Sequence, residues 1–321
     1  MTVLPEGWTP RPEERTDTVS ATAAAALHGL LDASGPPPGP GDPLPPLWHW
    51  LAFLPDAPQA MLGRDGHPRL GGFLPPLTLP RRMWAGGRLT FSPGATVAVA
   101  LRRTSVVADI TAKTGRSGDL VFVEVAHRLE PLGAGAPTIT ETQDLVYRDA
   151  PPVAPPGLPP GTTGPGSSPA KTGPAGQSTA EGAGQSTAEG AGQSTAEGAG
   201  PDDPTWVWRI DLATDPTLLF RFSALTYNAH RIHYDRAYAT EEEGYPGLVV
   251  HGPLQAIGLA ELCRRFVPDA SLSSYAFRAR TPAFDGPPLR LRGRPDGRGG
   301  AELVAFDHHG VPTLTAEVTL S

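Results

Sequence analysis

The chain has 321 residues, a formal net charge of -7 and one cysteine, Cys263. The length suits two domains of ~100–200 residues each, the acidic balance argues against a nucleic-acid partner or a basic membrane patch, and a single thiol excludes an internal disulfide framework. No apolar run reaches the ~18 residues of a membrane span, and the opening residues MTVLPEGWTPRPEERTDTV lack a charged-then-apolar signal pattern, so a cytoplasmic protein is expected.

Residues 16–32 carry Val19, Ala23, Ala26, Leu27, Leu30 and Leu31 at helical spacing, with Asp17 or Ser20 as cap and Gly35-Pro36 as stop. A proline-rich loop follows over 36–46, and then the apolar, aromatic run LWHWLAFL (47–54), read as a buried packing element. Residues 63–76 (GRDGHPRLGGFLPP) are rich in turn formers, and Gly71-Gly72 would let backbone approach a neighbour or an acyl chain closely. The pattern predicts a short helix over 77–84, then strands over 88–91, 96–103, 105–114, 120–129 and 138–147. Helical material followed by an antiparallel meander makes residues 1–150 an α+β unit.

Residues 151–204 have no aromatic side chain, and they contain GQSTAEGA three times in tandem from Gly176, Gly184 and Gly192. A period of eight is too short for a solenoid unit of ~20–50 residues. Nothing in the stretch offsets the entropy of ordering its backbone, so a disordered linker is expected.

A second unit occupies 205–321. The pattern predicts strands over 206–210 and 218–224, a short acidic helix over 235–243, an amphipathic helix over 253–266 opened by His251-Gly252-Pro253, and four strands over 273–280, 288–294, 301–307 and 312–320. Both units run helix first and sheet second, as a tandem duplication would.

The chemistry concentrates in residues 220–255, FRFSALTYNAHRIHYDRAYATEEEGYPGLVVHGPLQ. The string NAHRIH (228–233) followed by His251-Gly252 at a helix start resembles the hot-dog (R)-specific enoyl-CoA hydratases and MaoC-type dehydratases. Their motif is Asp-x-Asn-Pro-x-His with a His-Gly roughly twenty residues on. The strings LPPLWHWLAFLP, GGFLPP, LPRRMWAGG, YNAHRIHYDRAYA and GYPGLVVHGP look like the subgroup that holds mesaconyl-C4-CoA hydratases and mitochondrial 3-hydroxyacyl-thioester dehydratases. The likeness covers nearly everything outside the linker.

The resemblance implies a double hot-dog, α+β, in which two antiparallel sheets each wrap round a helix. The N-terminal half would be non-catalytic and would shape an acyl tunnel. The implied reaction is reversible hydration of a 2-enoyl thioester, or dehydration of the 3-hydroxyacyl thioester. Acyl-CoA is the expected substrate, with acyl carrier protein, a non-catalytic thioester binder or a thioesterase as alternatives. A homodimer is compatible with it.

The site residues follow by position. His233 matches the catalytic histidine, and an imidazole titrates near neutrality, as an acid/base needs to. Gly252 offers an N–H at a helix start to the thioester oxygen as it gathers charge. Asn228 stands where the relatives have Asp. An amide holds water but cannot take its proton, so His233 is expected to serve as sole acid/base while Asn228 positions water or the substrate hydroxyl. His230, Arg231, His251 and Tyr227 are expected at the substrate. Arg231, Arg81 and Arg82 are the cations available for a substrate carboxylate. No metal and no resident cofactor are expected, since the chain has no phosphate loop or dinucleotide fingerprint and the acid/base reading accounts for the histidine spacing.

Overall fold

A computed structural model describes residues 7–79, 81–115, 118–148 and 199–321. The first half contributes β1 (Glu13–Thr18), α1 (Ala21–Leu30), β2 (Arg81–Phe91), β3 (Ala100–Gly115), β4 (Gly118–Pro131) and β5 (Ile139–Arg148). The second contributes β6 (Trp208–Thr214), α2 (Pro216–Leu225), α3 (Gly252–Phe266), β7 (Leu272–Ala279), β8 (Gly286–Pro295), β9 (Gly300–Phe306) and β10 (Pro312–Leu320).

All ten strands form one antiparallel sheet in the order β1-β3-β4-β5-β2-β7-β10-β9-β8-β6. Read from either end, the first five strands have the same connectivity, so the sheet is two copies of one unit joined along β2 and β7. At the seam Gly86 faces Arg278, Gly87 faces Phe277 and Leu89 faces Tyr275. This is the expected double hot-dog, with its two sheets fused into one.

The halves differ in filling. Helix α3 packs on β6, β7, β8, β9 and β10. Its residues 254–263 are all buried, as befits a helix enclosed on every side. Between α1 and β2 the first half has, among the described residues, only two short 3-10 turns, Trp48–Leu51 and Gln59–Met61. The expected wrapping of each sheet round a helix therefore holds for the second half alone. The LWHWLAFL segment does pack inside: Trp48, His49 and Leu51 are buried. Residues 70–79 roof a second apolar cluster of Val107, Val121, Val123, Val125, Leu145 and Tyr147.

Local expectations needed correction at several points. Residues 81–84, read as helix, begin β2, because pairing with β5 overrides a weak local preference. Residues 218–224, read as strand, lie in α2. The Asp215 carboxylate accepts the N–H groups of Thr217 and Leu218, and Pro216 occupies the first turn, a cap signal that the alternating string FRFSAL obscured. The strands expected over 96–103 and 105–114 are one strand, β3, with a register shift between Val107 and Asp109. Residues 13–18 form edge strand β1, so α1 starts only after the Ser20 cap. Phe266 leaves the apolar face of α3 and stacks on Trp208 at the surface.

Most of the GQSTAEGA repeats lie outside the described residues. Within 199–204, the end of the expected linker, the chain is tied down. The Gly200 carbonyl accepts from the Trp206 indole, the Pro201 carbonyl accepts from Arg292, and Asp202 pairs with Arg290.

Candidate active site

The loop after α2 is built by backbone pairing. The Asn228 N–H donates to the Ser223 carbonyl, and the Asn228 Oδ1 accepts the His230 N–H at 3.0 Å, closing a side-chain turn. Next comes a 3-10 turn, Arg231–His233. Its Ile232 carbonyl accepts from the Val249 N–H, while His233 Nδ1 donates to the Val249 carbonyl at 2.7 Å. That bond fixes the tautomer and leaves the lone pair on Nε2.

His233 is buried, and its ring stacks on His251 with 3.7 Å between centroids. His251 immediately precedes Gly252, the first residue of α3, whose first-turn N–H groups have no acceptor inside the helix. His251 Nε2 meets Ser223 Oγ at 2.8 Å, Phe222 lies edge-on to the ring, and its Nδ1 is buried without a partner. Burial pushes His233 down to about 4, partly opposed by the Val249 bond, and drives His251 well below the usual histidine range.

The other half reaches into this cluster. The loop around Asp65-Gly66-His67 lies flush on residues 229–231: the Asp65 carbonyl accepts the Arg231 N–H at 2.9 Å. Gly66 has φ +90° and sits so close to the Ala229 carbonyl that any Cβ would overlap it, which makes glycine the fitting residue there. The Asp65 carboxylate holds His67 twice, through the backbone N–H and through Nδ1, both at 3.0 Å. The His67 ring lies 4.1 Å from that of His230, which is in turn 5.4 Å from His233 and perpendicular to it. Burial lowers His230 to about 2, with the charges of His67, His233 and Arg82 adding to it. Burial works to raise Asp65, but the bond to His67 and its charge prevail and hold the carboxyl at about 2.

A cavity of about 560 Å³ opens between the halves, lined on one side by Asp65, His67, Arg81, Arg82 and Tyr147 and on the other by Tyr238, Glu242 and Glu243. The three arginines have different fates. Arg231 is spent on Asp235 and the Tyr238 ring, and Arg81 on Glu243. Arg82 has no carboxylate partner among the described residues. It lies beside the Tyr147 hydroxyl, itself buried and without a hydrogen bond of good geometry.

The structure thus brings together His233, His230, His251 and the start of α3. Tyr227 does not join them: it takes a left-handed conformation and is 63% exposed. The face of Gly252 that a Cβ would occupy is filled by the Trp84 ring, 2.8 Å from that position, so the missing side chain makes room for packing from β2. Gly71 closes a turn onto Leu74, and Leu70, not the glycine pair, reaches the cavity. Cys263 is a buried thiol pushed up to about 12 by burial. Sequence reasoning passed over Asp65, His67, Ser223 and Trp84. For the first two a signal was present, an Asp-Gly-His string in a turn-rich segment. Asp65, His67 and His230 are also the grouping, among the described residues, whose ligand atoms could gather round a cation, all within 4.8 Å of one another.

A fused double hot-dog sheet with a histidine set at the start of its central helix defines an acyl-thioester dehydratase class. The chain belongs to the hydroxyacyl-thioester dehydratase type 2 family, which it matches over residues 47–169 and 185–285. It is 40% identical over 316 residues to mesaconyl-C(4)-CoA hydratase of Chloroflexus aurantiacus, covering 98% of this chain and 96% of that one. Among solved structures it shares its fold with HtdX of Mycobacterium tuberculosis (TM-score 0.57, 14% identity, 96% of this chain and 99% of that one). It also shares it with a second protein of that organism described as a double hot-dog (TM-score 0.53, 14% identity, 98% and 97%).

Proposed function

We propose that the protein adds water reversibly across the double bond of a 2-enoyl-CoA thioester, with His233 as acid/base. The observation that carries this is the bond from His233 Nδ1 to the Val249 carbonyl. It presents a neutral imidazole, Nε2 lone pair free, beside the helix start that carries Gly252. The Gly252 N–H then stabilises the thioester oxygen as an enolate forms. Asn228 spends a lone pair of Oδ1 on its own loop, so its amide N–H groups are what it offers to water or to the substrate hydroxyl.

The acyl group carries its own carboxylate. Arg82 and Tyr147 line the same cavity, and a guanidinium beside a phenol suits a bound carboxylate; the 40% identity to a mesaconyl-C(4)-CoA hydratase agrees with this. A cytoplasmic location belongs to the same reading, and the edge strands β1 and β6 are where a second copy would add.

The test is to incubate the purified protein with mesaconyl-C4-CoA and with crotonyl-CoA, following loss of the enoyl absorbance and product mass. Gain of one water supports the reading; release of free thiol, or no change with either substrate, sinks it. Arg82→Gln should lower kcat/KM for mesaconyl-C4-CoA about 10- to 100-fold, the scale of one charge-assisted hydrogen bond, and change crotonyl-CoA less than about threefold. Equal losses on both substrates would remove Arg82 from acyl recognition.

A further inference from the structure

Relatives of this fold divide proton handling between a carboxylate and a histidine, and Asn228 leaves that carboxylate out of the loop where it is expected. The first half supplies one. Asp65 reaches the histidine set from the facing loop and grips His67 through both carboxylate oxygens. We propose that the Asp65–His67 pair is the second proton-handling group of the site, so that the half expected to be non-catalytic provides part of the acid/base machinery.

Four observations converge on this. First, Asp65 and His67 both line the cavity between the halves, whereas His233 does not. Second, the Asp65 bond to Nδ1 leaves the His67 Nε2 lone pair to accept a proton, and the carboxylate stabilises the imidazolium that results. Third, His67, His230 and His233 form a continuous run of rings from the cavity to the start of α3. Fourth, the docking is set in backbone: the Asp65 carbonyl accepts from Arg231, the Arg64 carbonyl accepts from the Arg231 guanidinium, and Gly66 tolerates no side chain against Ala229. A loop that needed only to cover the surface has no use for a carboxylate–imidazole pair packed on a second imidazole.

The step balances with the groups present. As water bonds to C3, one of its O–H bonds breaks and His67 Nε2 takes the proton. The C2=C3 pair moves toward the thioester oxygen and returns as the new C2–H bond. The proton that His67 took is returned to C2 from the histidine set, and the imidazoles finish neutral. Dehydration runs the same transfers backward. This rests on the hydratase reading above.

The experiment compares wild-type protein, His67→Gln, Asp65→Asn and, as an exposed control outside the cavity, Arg298→Ala. Each is assayed with mesaconyl-C4-CoA and crotonyl-CoA from about pH 5 to 9, with thermal unfolding measured in parallel. His67→Gln should lose on the order of 10²- to 10⁴-fold in kcat, the usual share of a positioned acid/base group, with KM within about threefold. Asp65 holds the His67 pKa up, against burial and Arg82. Its loss in Asp65→Asn should therefore move the acid limb of the kcat/KM profile to lower pH, which a merely structural brace would not do. Arg298→Ala should behave as wild type. A folded His67→Gln with wild-type kcat overturns the proposal, as does an Asp65→Asn profile with an unmoved limb. Loss of wild-type activity to a chelator and its return with Zn²⁺ would make the cluster a metal site instead. Wild-type protein inactive on both substrates would sink the hydratase reading itself.

Discussion

The two halves share one strand connectivity and part company at a single segment. In the second half, the stretch between α2 and β7 supplies α3, which fills the concave face of its sheet. In the first half, the corresponding stretch between α1 and β2 has no long helix; it folds as short turns, and its loops line a cavity against the partner half. Each half also buries a histidine differently. His49 meets Glu141 at 3.0 Å, and although burial would raise that carboxyl, His49 holds it at about 2; the same Glu141 accepts from Trp50. His233 meets only a carbonyl, so its imidazole faces no fixed counter-charge in its own loop. One strand unit occurs twice in the sheet; the first copy leaves a cavity where it has no long helix, and the second keeps the helix whose start carries Gly252.

The sharpest way to break this comparison is His233→Ala. It should abolish measurable turnover while the equivalent loss in the other half, His49→Ala, lowers stability and spares the chemical step; steady-state kinetics beside thermal melts separate the two. Next in size is the helix itself. Leu254→Ala in α3, at a side chain with no exposed surface, should cost about 2–5 kcal/mol in denaturant unfolding. The same truncation of Leu70, partly buried at the cavity wall, should cost less than about 1 kcal/mol and act on KM.

Acid should then weaken both halves through a buried histidine in each, His127 in β4 and His233 in the loop after α2. His233 and His127 are lowered by burial to about 4, from an ordinary value of 6.5. Below 6.5 the unfolded chain binds protons that the folded one refuses, so stability is full above 6.5 and falls as pH drops toward 4. Melting temperatures from pH 7.5 to 4.5 check this, and a flat profile would contradict it. The smallest effect is expected from deleting residues 176–191, two of the three tandem repeats: if that stretch serves as a tether, the melting temperature and kcat should stay within error of wild type.

Much of the site was legible before any coordinates. NAHRIH and HGP are local strings, and the Asn at 228, the His at 233 and the Pro-marked start of α3 need only neighbours in sequence to be read. Strands with clean alternation were likewise found close to their true ends. Residues 218–224 were misread because the exposed Phe220 stands two before the buried Phe222 and imitates strand alternation, whereas the residues α2 buries, Leu218, Leu219, Phe222 and Ser223, lie at helical spacing behind the Asp215 cap. Residues 81–84 were misread because only their pairing with β5, far along the chain, makes them a strand.

What composition and pattern determined were the two α+β units, the Pro/Gly-rich stretch between them and the residue types for proton transfer beside a thioester. What only the tertiary structure decided was which loops of the two halves meet. Asp65 and His67 stand 163 and more positions from His230 in the chain, and nothing local marks them as its neighbours; the β2–β7 seam brings them there. A single sequence records spacing along the chain, whereas the pairing of two sheet edges sets which distant loops share a cavity, and that pairing is fixed by long-range hydrogen bonds and burial that no short window contains.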